Sequence, residues 1–126
     1  MSDKKNLRTA LYCRLACKDD ERMDAQRQKL REYAEQNGYV NCEEYIDNGA
    51  SGISSDRLAF VQMNEDIRAG HIGTVLIWDV ARLFRDYILL GEWLNDVRTR
   101  GLSVISAQDG PLDDVLRPFR QRERIA

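Results

Sequence analysis

Short strand-like segments alternate with segments of helical periodicity along most of this chain, and this alternation limits the possible folds more than any other feature. Strands are predicted over residues 9–16 (TALYCRLA), 41–47, 74–78 (TVLIW) and 102–107 (LSVISA). Amphipathic helices are predicted between them, over residues 19–38, 58–69 and 87–99. Strands that alternate with helices favour a mainly parallel sheet with right-handed crossovers. The predicted fold is therefore a three-layer α/β domain with helices on both faces of the sheet.

The size and composition of the chain indicate one soluble domain. Its 126 residues are 43% hydrophobic and 32% charged, and no apolar run approaches the roughly 20 residues that a membrane span needs. Residues 1–8 show no secretory signal, so the expected compartment is the cytoplasm. Residues 1–110 are predicted to form the domain, and residues 111–126 an arginine-rich tail that begins a truncated linker or helix.

Cysteine, histidine and charge content narrow the possible partners. Three cysteines and one histidine lack the spacing of a disulfide framework or a metal site, so we expect free thiols and no metal. A domain that binds DNA through its overall electrostatic field is basic, whereas this chain has a formal net charge of −2. Arginine accounts for 15 of the 19 basic residues, which mildly favours phosphate binding, although a bias in codon usage explains it equally well.

The residues at the end of the first predicted strand are candidates for chemistry, because ligands of open parallel sheets gather outside the carboxyl ends of the strands. The two-residue period of a strand places Tyr12, Arg14 and Ala16 on one face. An arginine buried on a central strand is costly unless it meets an anion. Arg14 therefore indicates an anion site at this edge.

Three more arginines follow the next two strands. Arg57 ends the polar loop after the second strand. Arg82 and Arg85 follow the third strand three residues apart, so a helix that began there would present both toward one spot. Together with Arg14 they could converge on a phosphodiester, which accepts several forked hydrogen bonds. The alternative is that each arginine forms an ordinary surface ion pair with one of the nearby aspartates, Asp19, Asp47, Asp79 and Asp86.

Five short blocks of residues occur in a fixed order along residues 7–110: Tyr12-x-Arg14-Leu-Ala16, Gln26, Asp47-x-Gly-x-Ser51-Gly52, Ser-Ser-Asp-Arg57 and Arg82-Leu-Phe-Arg85-Asp86. Each block alone is a weak signal, but in this order and near these spacings the set is highly specific. It resembles the catalytic domain of the serine site-specific DNA recombinases, the resolvase and invertase family, in which the first block reads Tyr-x-Arg-Val-Ser. A three-layer, resolvase-like domain is the fold that this resemblance implies.

The resemblance also implies an activity and a set of site residues. The family joins its serine to a DNA 5′ phosphate, rotates the cut ends within a tetramer and reseals them without a metal or cofactor. The implied partner is duplex DNA bound by a homodimer or tetramer, with no membrane and no small-molecule substrate. Around the scissile phosphate the resemblance places Arg14, Arg57, Arg82 and Arg85, supported by Tyr12, Gln26, Asp47 and Ser51.

The sequence departs from the family pattern at three positions. Ala16 stands where the family has its nucleophilic serine, Ala81 where relatives have Asp or Ser, and Leu58 where proline is frequent. Without a hydroxyl at position 16 the chain is predicted to be unable to cleave DNA. Three explanations stay open: a naturally inactive relative, an engineered serine-to-alanine change, and a shift of the nucleophile to Cys17, which the strand period disfavours.

Two functions from different classes follow from these observations. The first is site-specific recombination, whether resolution, inversion or integration, with this copy inactive in cleavage. The alternative is a catalytically dead partner or regulator of active recombinase subunits. A flavodoxin-like or phosphoacceptor domain shares the alternating pattern, but it needs an acidic cluster at the end of the first strand, which Tyr-Cys-Arg-Leu-Ala does not provide. Trp78 and Trp93 are interpreted as core or interface aromatics rather than base-stacking platforms.

Overall fold

A five-stranded sheet forms the centre of the domain. The computed structural model describes residues 7–49, 57–84 and 86–112 of the chain. The strands are β1 Arg8–Leu15, β2 Cys42–Asn48, β3 Ile72–Ile77, β4 Ser103–Ser106 and β5 Gly110–Pro111. They lie in the order β2-β1-β3-β4-β5; β1 to β4 are parallel, and β5 runs antiparallel to β4. The predicted fold class, an α/β domain with a mainly parallel central sheet, is confirmed.

The helices of the described residues connect these strands and are α1 Asp20–Gln36, α2 Leu58–Arg68 and α3 Tyr87–Thr99. Aspartate side chains begin two of them. Asp19 accepts a hydrogen bond from the Arg22 backbone N–H at the start of α1, and Asp86 accepts one from the Ile88 backbone N–H at the start of α3. Gly38 follows the end of α1 with a φ of 78°, the left-handed conformation that commonly stops a helix.

Different helices cover the two faces of the sheet. On one face, Leu11 of β1 packs in a core cluster with Leu30 of α1. On the other, Tyr12 of β1 belongs to a cluster that contains Phe60 of α2 and Leu94 of α3. Adjacent residues of β1 thus enter opposite cores, as the period of a strand requires. Helices on both faces complete the three-layer arrangement expected of right-handed crossovers.

The order of the strands creates a crevice between β1 and β3. The chain passes from β1 to β2 at one edge and then returns past β1 to form β3, so the direction of winding reverses between these two strands. Parallel sheets bind ligands at such a switch point, outside the carboxyl ends of the strands. Pairing between β1 and β3 ends at Leu11 and Leu76, but β1 continues to Leu15. The last residues of β1 therefore border the crevice.

The segment after β3 differs from the expectation of a helix that begins at Arg82. A single 3-10 turn, Val80–Arg82, follows β3, and α3 begins only at Tyr87. The Arg14 side chain donates hydrogen bonds to the backbone carbonyls of Ala81 and Arg82. In a continuing α-helix these carbonyls would accept the backbone N–H groups four residues later. The long-range contact with β1 therefore competes with the local helix.

Two further features were not foreseen. Ile88 of the predicted amphipathic helix α3 is 72% exposed despite its apolar side chain, because the buried stripe consists of Leu90, Leu94 and Val97 at positions i, i+4 and i+7. The short strand β5 extends the sheet, and Leu112 beside it is buried in the core. Residues 113–126 lie outside the described residues, so the division of the chain near residue 110 stays a prediction. None of the described helices has the length and apolar character needed to cross a membrane.

Candidate active site

Ala16 lies at the carboxyl end of β1 and is exposed. The residue before it is held to the loop after β2, since the Gly49 N–H donates a 2.8 Å hydrogen bond to the Leu15 carbonyl. Gly49 has a φ of 100°, and a Cβ at this position would lie 3.2 Å from the Lys18 Cβ. Glycine thus permits both the backbone conformation and the close approach of the two strand ends. Position 16 itself presents only a methyl group to the crevice.

Arg14 connects β1 to the turn after β3. It is 4% exposed, and its Nε donates to the Arg82 carbonyl at 3.1 Å while its Nη2 donates to the Ala81 carbonyl at 2.9 Å. The Arg14 backbone N–H, beyond the pairing with β3, donates to Gln26 Oε1 of α1 at 3.2 Å. Three elements therefore meet at Arg14, which fixes the position of the turn that carries Arg82.

Tyr12, Asp47 and Arg57 form a second group on the face covered by α2 and α3. The Tyr12 hydroxyl donates to Asp47 Oδ2 at 2.7 Å, and it accepts hydrogen bonds from Arg57 Nε at 3.1 Å and Nη2 at 3.0 Å. All three residues are buried. Burial raises the pKa of Tyr12 well above its ordinary value; the Arg57 charge opposes this shift and the hydrogen bond to Asp47 adds to it. The hydroxyl therefore stays protonated and joins a carboxylate to a guanidinium.

Aromatic rings surround the Arg57 guanidinium. Its Cζ lies 4.0 Å from the ring centroid of Phe60, 5.2 Å from that of Phe84 and 5.3 Å from that of Tyr12. These distances are within the range of cation–π attraction, which is strongest where water is excluded. Arg57 is 4% exposed, so its charge is held in a fixed position at the start of α2.

Asp47 performs a structural task in addition to its bond with Tyr12. Its two carboxylate oxygens accept the backbone N–H groups of Ala59 at 2.8 Å and Phe60 at 3.1 Å. The residue before α2, Arg57, makes no capping hydrogen bond of its own. The Asp47 carboxylate on β2 thus caps the first turn of α2 in place of a neighbouring residue. The positive end of the helix dipole also stabilises the negative charge of this carboxylate.

Arg82 has a buried Nε that finds no hydrogen-bond partner among the described residues. Its backbone N–H donates to Asp79 Oδ1 at 3.1 Å, which sets the 3-10 turn. The Arg82 side chain lines a pocket of about 190 Å³ in the crevice, together with Gln26 of α1 and Trp78 at the end of β3. A guanidinium N–H buried without an acceptor is costly, and this marks Arg82 as a candidate anion ligand.

Two clusters of expected site residues are therefore present at the carboxyl edge of the sheet. Arg14 donates through its backbone N–H to Gln26 of α1 and through its side chain to the Arg82 carbonyl; Tyr12, Asp47 and Arg57 form the group on the side of α2 and α3. Arg85 and Ser51 lie outside the described residues. All four aspartates considered as surface partners accept backbone N–H groups at the start of a helix or turn: Asp19, Asp47, Asp79 and Asp86.

The sequence did not single out two other cations that line the pocket, Arg22 and Lys29 of α1. They stand four residues before and three residues after Gln26, so helical spacing from that glutamine places them on its face.

The thiols near the site differ in environment. Cys13 is buried, and burial raises the pKa of its thiol to about 12, whereas Cys17 is exposed. No cluster of His, Cys, Asp or Glu that could hold a metal ion occurs within the described ranges.

Comparison with known proteins agrees with this geometry. The family model for the resolvase N-terminal domain matches residues 9–122, most of the chain. The N-terminal catalytic domain of TP901-1 integrase is 24% identical, with a TM-score of 0.79 over 93% of this chain and 96% of that one. A resolvase family site-specific recombinase from Streptococcus pneumoniae is 26% identical, with a TM-score of 0.71 over 94% and 91% of the two chains.

A third similar structure is the C-terminal catalytic domain of ISC1926 TnpA, an IS607-like serine recombinase. It is 23% identical, with a TM-score of 0.69 over 90% of this chain and 78% of that one. No curated protein matches the chain in sequence. Because the family model covers well over half of the chain, the chain belongs to the serine site-specific recombinase family and corresponds to its resolvase N-terminal catalytic domain.

Proposed function

We propose that this domain binds the scissile phosphodiester of duplex DNA during site-specific recombination and that, with Ala16 at the nucleophile position, it forms no covalent bond to DNA. The observation that carries the proposal is the pair of buried arginines at the switch point of the sheet. Arg14 and Arg57 are each 4% exposed; Arg14 lies near the carboxyl end of β1, two residues before Ala16, and Arg57 donates a hydrogen bond to Tyr12 of the same strand. Such preorganised positive charge suits a reaction in which negative charge develops on phosphoryl oxygens.

The arginines have different tasks in this proposal. Arg82 lines the described pocket and has a buried N–H without a described partner, so in this proposal it is the direct ligand of the phosphate. The Arg14 guanidinium donates hydrogen bonds to backbone carbonyls of the turn that carries Arg82. Part of its effect is therefore to position Arg82. Tyr12 and Asp47 hold Arg57 in the same way. Arg85 and Ser51 complete the site by family resemblance alone.

The missing nucleophile decides what the chain can do. In the family's reaction the serine oxygen attacks phosphorus, its proton is removed and the bond to the departing DNA oxygen breaks. A methyl group has no lone pair for this step, and arginine charge cannot replace it. The neighbouring Cys17 is exposed at the end of β1, so its thiol is the one competing nucleophile to test.

A catalytically dead partner or regulator of active subunits is the second candidate. The observation that favours it is that Ala16 stands beside a binding site whose buried arginines are in place. Such a chain would assemble with active recombinase subunits on DNA and lower or redirect their activity. Mixing it with an intact relative and measuring recombination would distinguish this role from that of an isolated inactive domain.

The test of the main proposal restores the nucleophile. Ala16→Ser, in a chain extended by a dimerising helix and a DNA-binding module, should form a serine-linked 5′ phosphate on DNA that carries the cognate site. The product is read as a mobility shift that survives denaturation. The further change Arg14→Ala should abolish it, whereas Arg8→Ala should not. Arg8 lies at the opposite end of β1, half-exposed and paired with Glu43, and is therefore a matched control.

Two outcomes would contradict the proposal. The first is a covalent band from the unmodified Ala16 chain that disappears on Cys17→Ala, which would make the cysteine the nucleophile. The second is a covalent band from Ala16→Ser that is equally strong with Arg14→Ala, which would remove the buried arginine from the reaction.

A further inference from the structure

The pocket beside Arg82 contains two cations that have no part in the site described above. Arg22 and Lys29 lie on α1 and line this pocket on the α1 face of the crevice. They are seven residues apart, about 10.5 Å along the helix axis. Both side chains line the same pocket, so they can converge on one group bound there.

These two cations differ from the other arginines of the same helix. Arg27 and Arg31 both pair with the Glu44 carboxylate on β2, and the Arg27 Nη2 lies 2.8 Å from Glu44 Oε1. Arg22 and Lys29 have no ion pair with any described carboxylate. The described residues in the wall of this pocket include no Asp or Glu. The pocket face of α1 thus carries positive charge that no described carboxylate neutralises, whereas Glu44 neutralises charge on the face toward β2.

A cation–π contact and a buried donor without a described partner mark the positive charge at the pocket. The Lys29 Nζ lies 5.5 Å from the ring centroid of Trp78, so the π-face of the indole keeps the ammonium near the pocket wall. The Nε of Arg82 is buried without a partner among the described residues. Arg22 adds a cation in the first turn of α1, where the helix dipole is itself positive and favours an anion nearby.

We propose that this pocket binds a backbone phosphate of the DNA next to the scissile phosphate, with Arg22 and Lys29 as its ligands and Trp78 as its floor. The proposal rests on the proposed function, because it needs DNA at the crevice. Phosphate suits the site: its oxygens accept hydrogen bonds from guanidinium and ammonium groups and carry the opposite charge. The volume of about 190 Å³ admits a phosphate group with several waters, since one water takes about 30 Å³ of liquid.

The role is to position DNA rather than to react. A phosphate contact of this kind adds affinity for any base sequence and strengthens the dependence of binding on salt, by about 0.9 in the logarithmic slope per phosphate on duplex DNA. It also fixes the register of the strand relative to Ala16. Loss of these contacts should therefore raise the DNA concentration required and leave the chemical step, once DNA is bound, unchanged.

The experiment compares two double variants of the 126-residue chain that lose the same charge from the same helix. Arg22→Gln with Lys29→Gln removes the pocket cations; Arg27→Gln with Arg31→Gln is the matched control. Both are made with Trp93→Phe, so that Trp78, at the pocket, is the single tryptophan. Thermal unfolding by circular dichroism establishes that each variant is folded.

Binding of a mixed-sequence duplex is followed by Trp78 fluorescence over a range of salt concentrations. Loss of one phosphate contact should lower the logarithmic salt slope of the pocket variant by about 0.9, so the ratio of parent to variant affinity should fall about three- to fourfold between roughly 50 and 200 mM salt. The control variant should lose less than half of that. Equal losses in the two variants would mean that only the overall charge of α1 matters, and would overturn the proposal.

Two further measurements distinguish inorganic phosphate from DNA phosphate as the ligand, and distinguish failure of this proposal from failure of the proposed function. Inorganic phosphate alone should change Trp78 fluorescence weakly; saturation by inorganic phosphate with no response to duplex would overturn the assignment to DNA. In the extended Ala16→Ser chain, the pocket variant should still form the covalent adduct at high DNA concentration. If adduct formation by the pocket variant depends on DNA concentration as it does in the parent, the proposal of a phosphate pocket is wrong and the proposed function is unaffected. Absence of any duplex binding and of any adduct would refute both.

Discussion

Tyr12→Phe tests whether the buried hydroxyl holds the site together. The substitution removes one hydrogen bond to the Asp47 carboxylate and the acceptor of two Arg57 donors, and it keeps the ring that packs 5.5 Å from Phe60. Hydrogen bonds to charged groups contribute about 1.5–3 kcal/mol each. Asp47 keeps the backbone N–H groups of α2, and Arg57 keeps its aromatic neighbours. The expected loss in the free energy of unfolding is therefore about 3 kcal/mol rather than the full sum.

Urea denaturation, followed by circular dichroism, measures this loss. Tyr39→Phe is the matched control, because Tyr39 is half-buried and its hydroxyl has no hydrogen bond within the described residues; its expected cost is within about 0.5 kcal/mol. A cost of Tyr12→Phe below about 1 kcal/mol, no different from the control, would refute the reasoning that the hydroxyl joins two buried charges.

The difference in stability between the parent and Tyr12→Phe should also depend on pH, in a direction that the Tyr12 pKa determines. The pKa of Tyr12 is raised in the folded state, so the folded protein keeps the proton that the unfolded chain loses near its ordinary pKa of about 10. The stability contributed by the hydroxyl is therefore complete below about pH 10 and falls as the pH rises toward the folded-state value. The difference between the parent and Tyr12→Phe should be constant from about pH 7 to 9 and shrink above about 10. A difference that grew above this pH would contradict the assignment.

Other expected results concern the thiols and one glycine. Cys17 and Cys42 are exposed and should react with iodoacetamide in the native protein, whereas Cys13, buried and with its thiol pKa raised to about 12, should react only at the rate of unfolding, as mass spectrometry of the labelled peptides would report. If Cys13 in the native protein were labelled as fast as Cys17 and Cys42, the core in which β1 buries Cys13 would not exclude solvent. Gly49→Ala should cost about 2 kcal/mol in the free energy of unfolding, more than Gly38→Ala, because both have positive φ but only Gly49 has neighbouring atoms in the way of a Cβ. Equal costs would show that the close approach of the strand ends does not matter.

Local periodicity was sufficient to predict most of the secondary structure. Residues 58–69 were predicted to form an amphipathic helix, and the buried residues of α2, Phe60, Met63 and Ile67, follow its helical spacing. The strand period placed Tyr12 and Arg14 on the same face of β1, and its neighbours enter the opposite core. These features depend on residues close in sequence, so no knowledge of the sheet order was needed. The blocks of the family pattern, through the identity and spacing of their residues, predicted the resolvase-like fold and the set of candidate site residues.

Prediction failed where a distant part of the chain competes with a local signal. The segment after β3 has two aspartates, Asp79 and Asp86, that are each able to begin a helix. Arg14, 67 and 68 residues away in sequence, bonds to the carbonyls that a helix from the first cap would use. Only the adjacency of β1 and β3 in the sheet brings it there.

The sequence by itself thus determined the alternation of strands and helices, their buried faces, the arginines at the strand ends and the absence of a hydroxyl at position 16. The tertiary structure decided which of these residues meet. The aromatic surroundings of Arg57 come from a strand, a helix and the segment after β3, and the phosphate pocket combines the face of α1 with the end of β3. Each contact depends on the order of strands in the sheet, and that order is set by burial of the whole core rather than by any local run of residues.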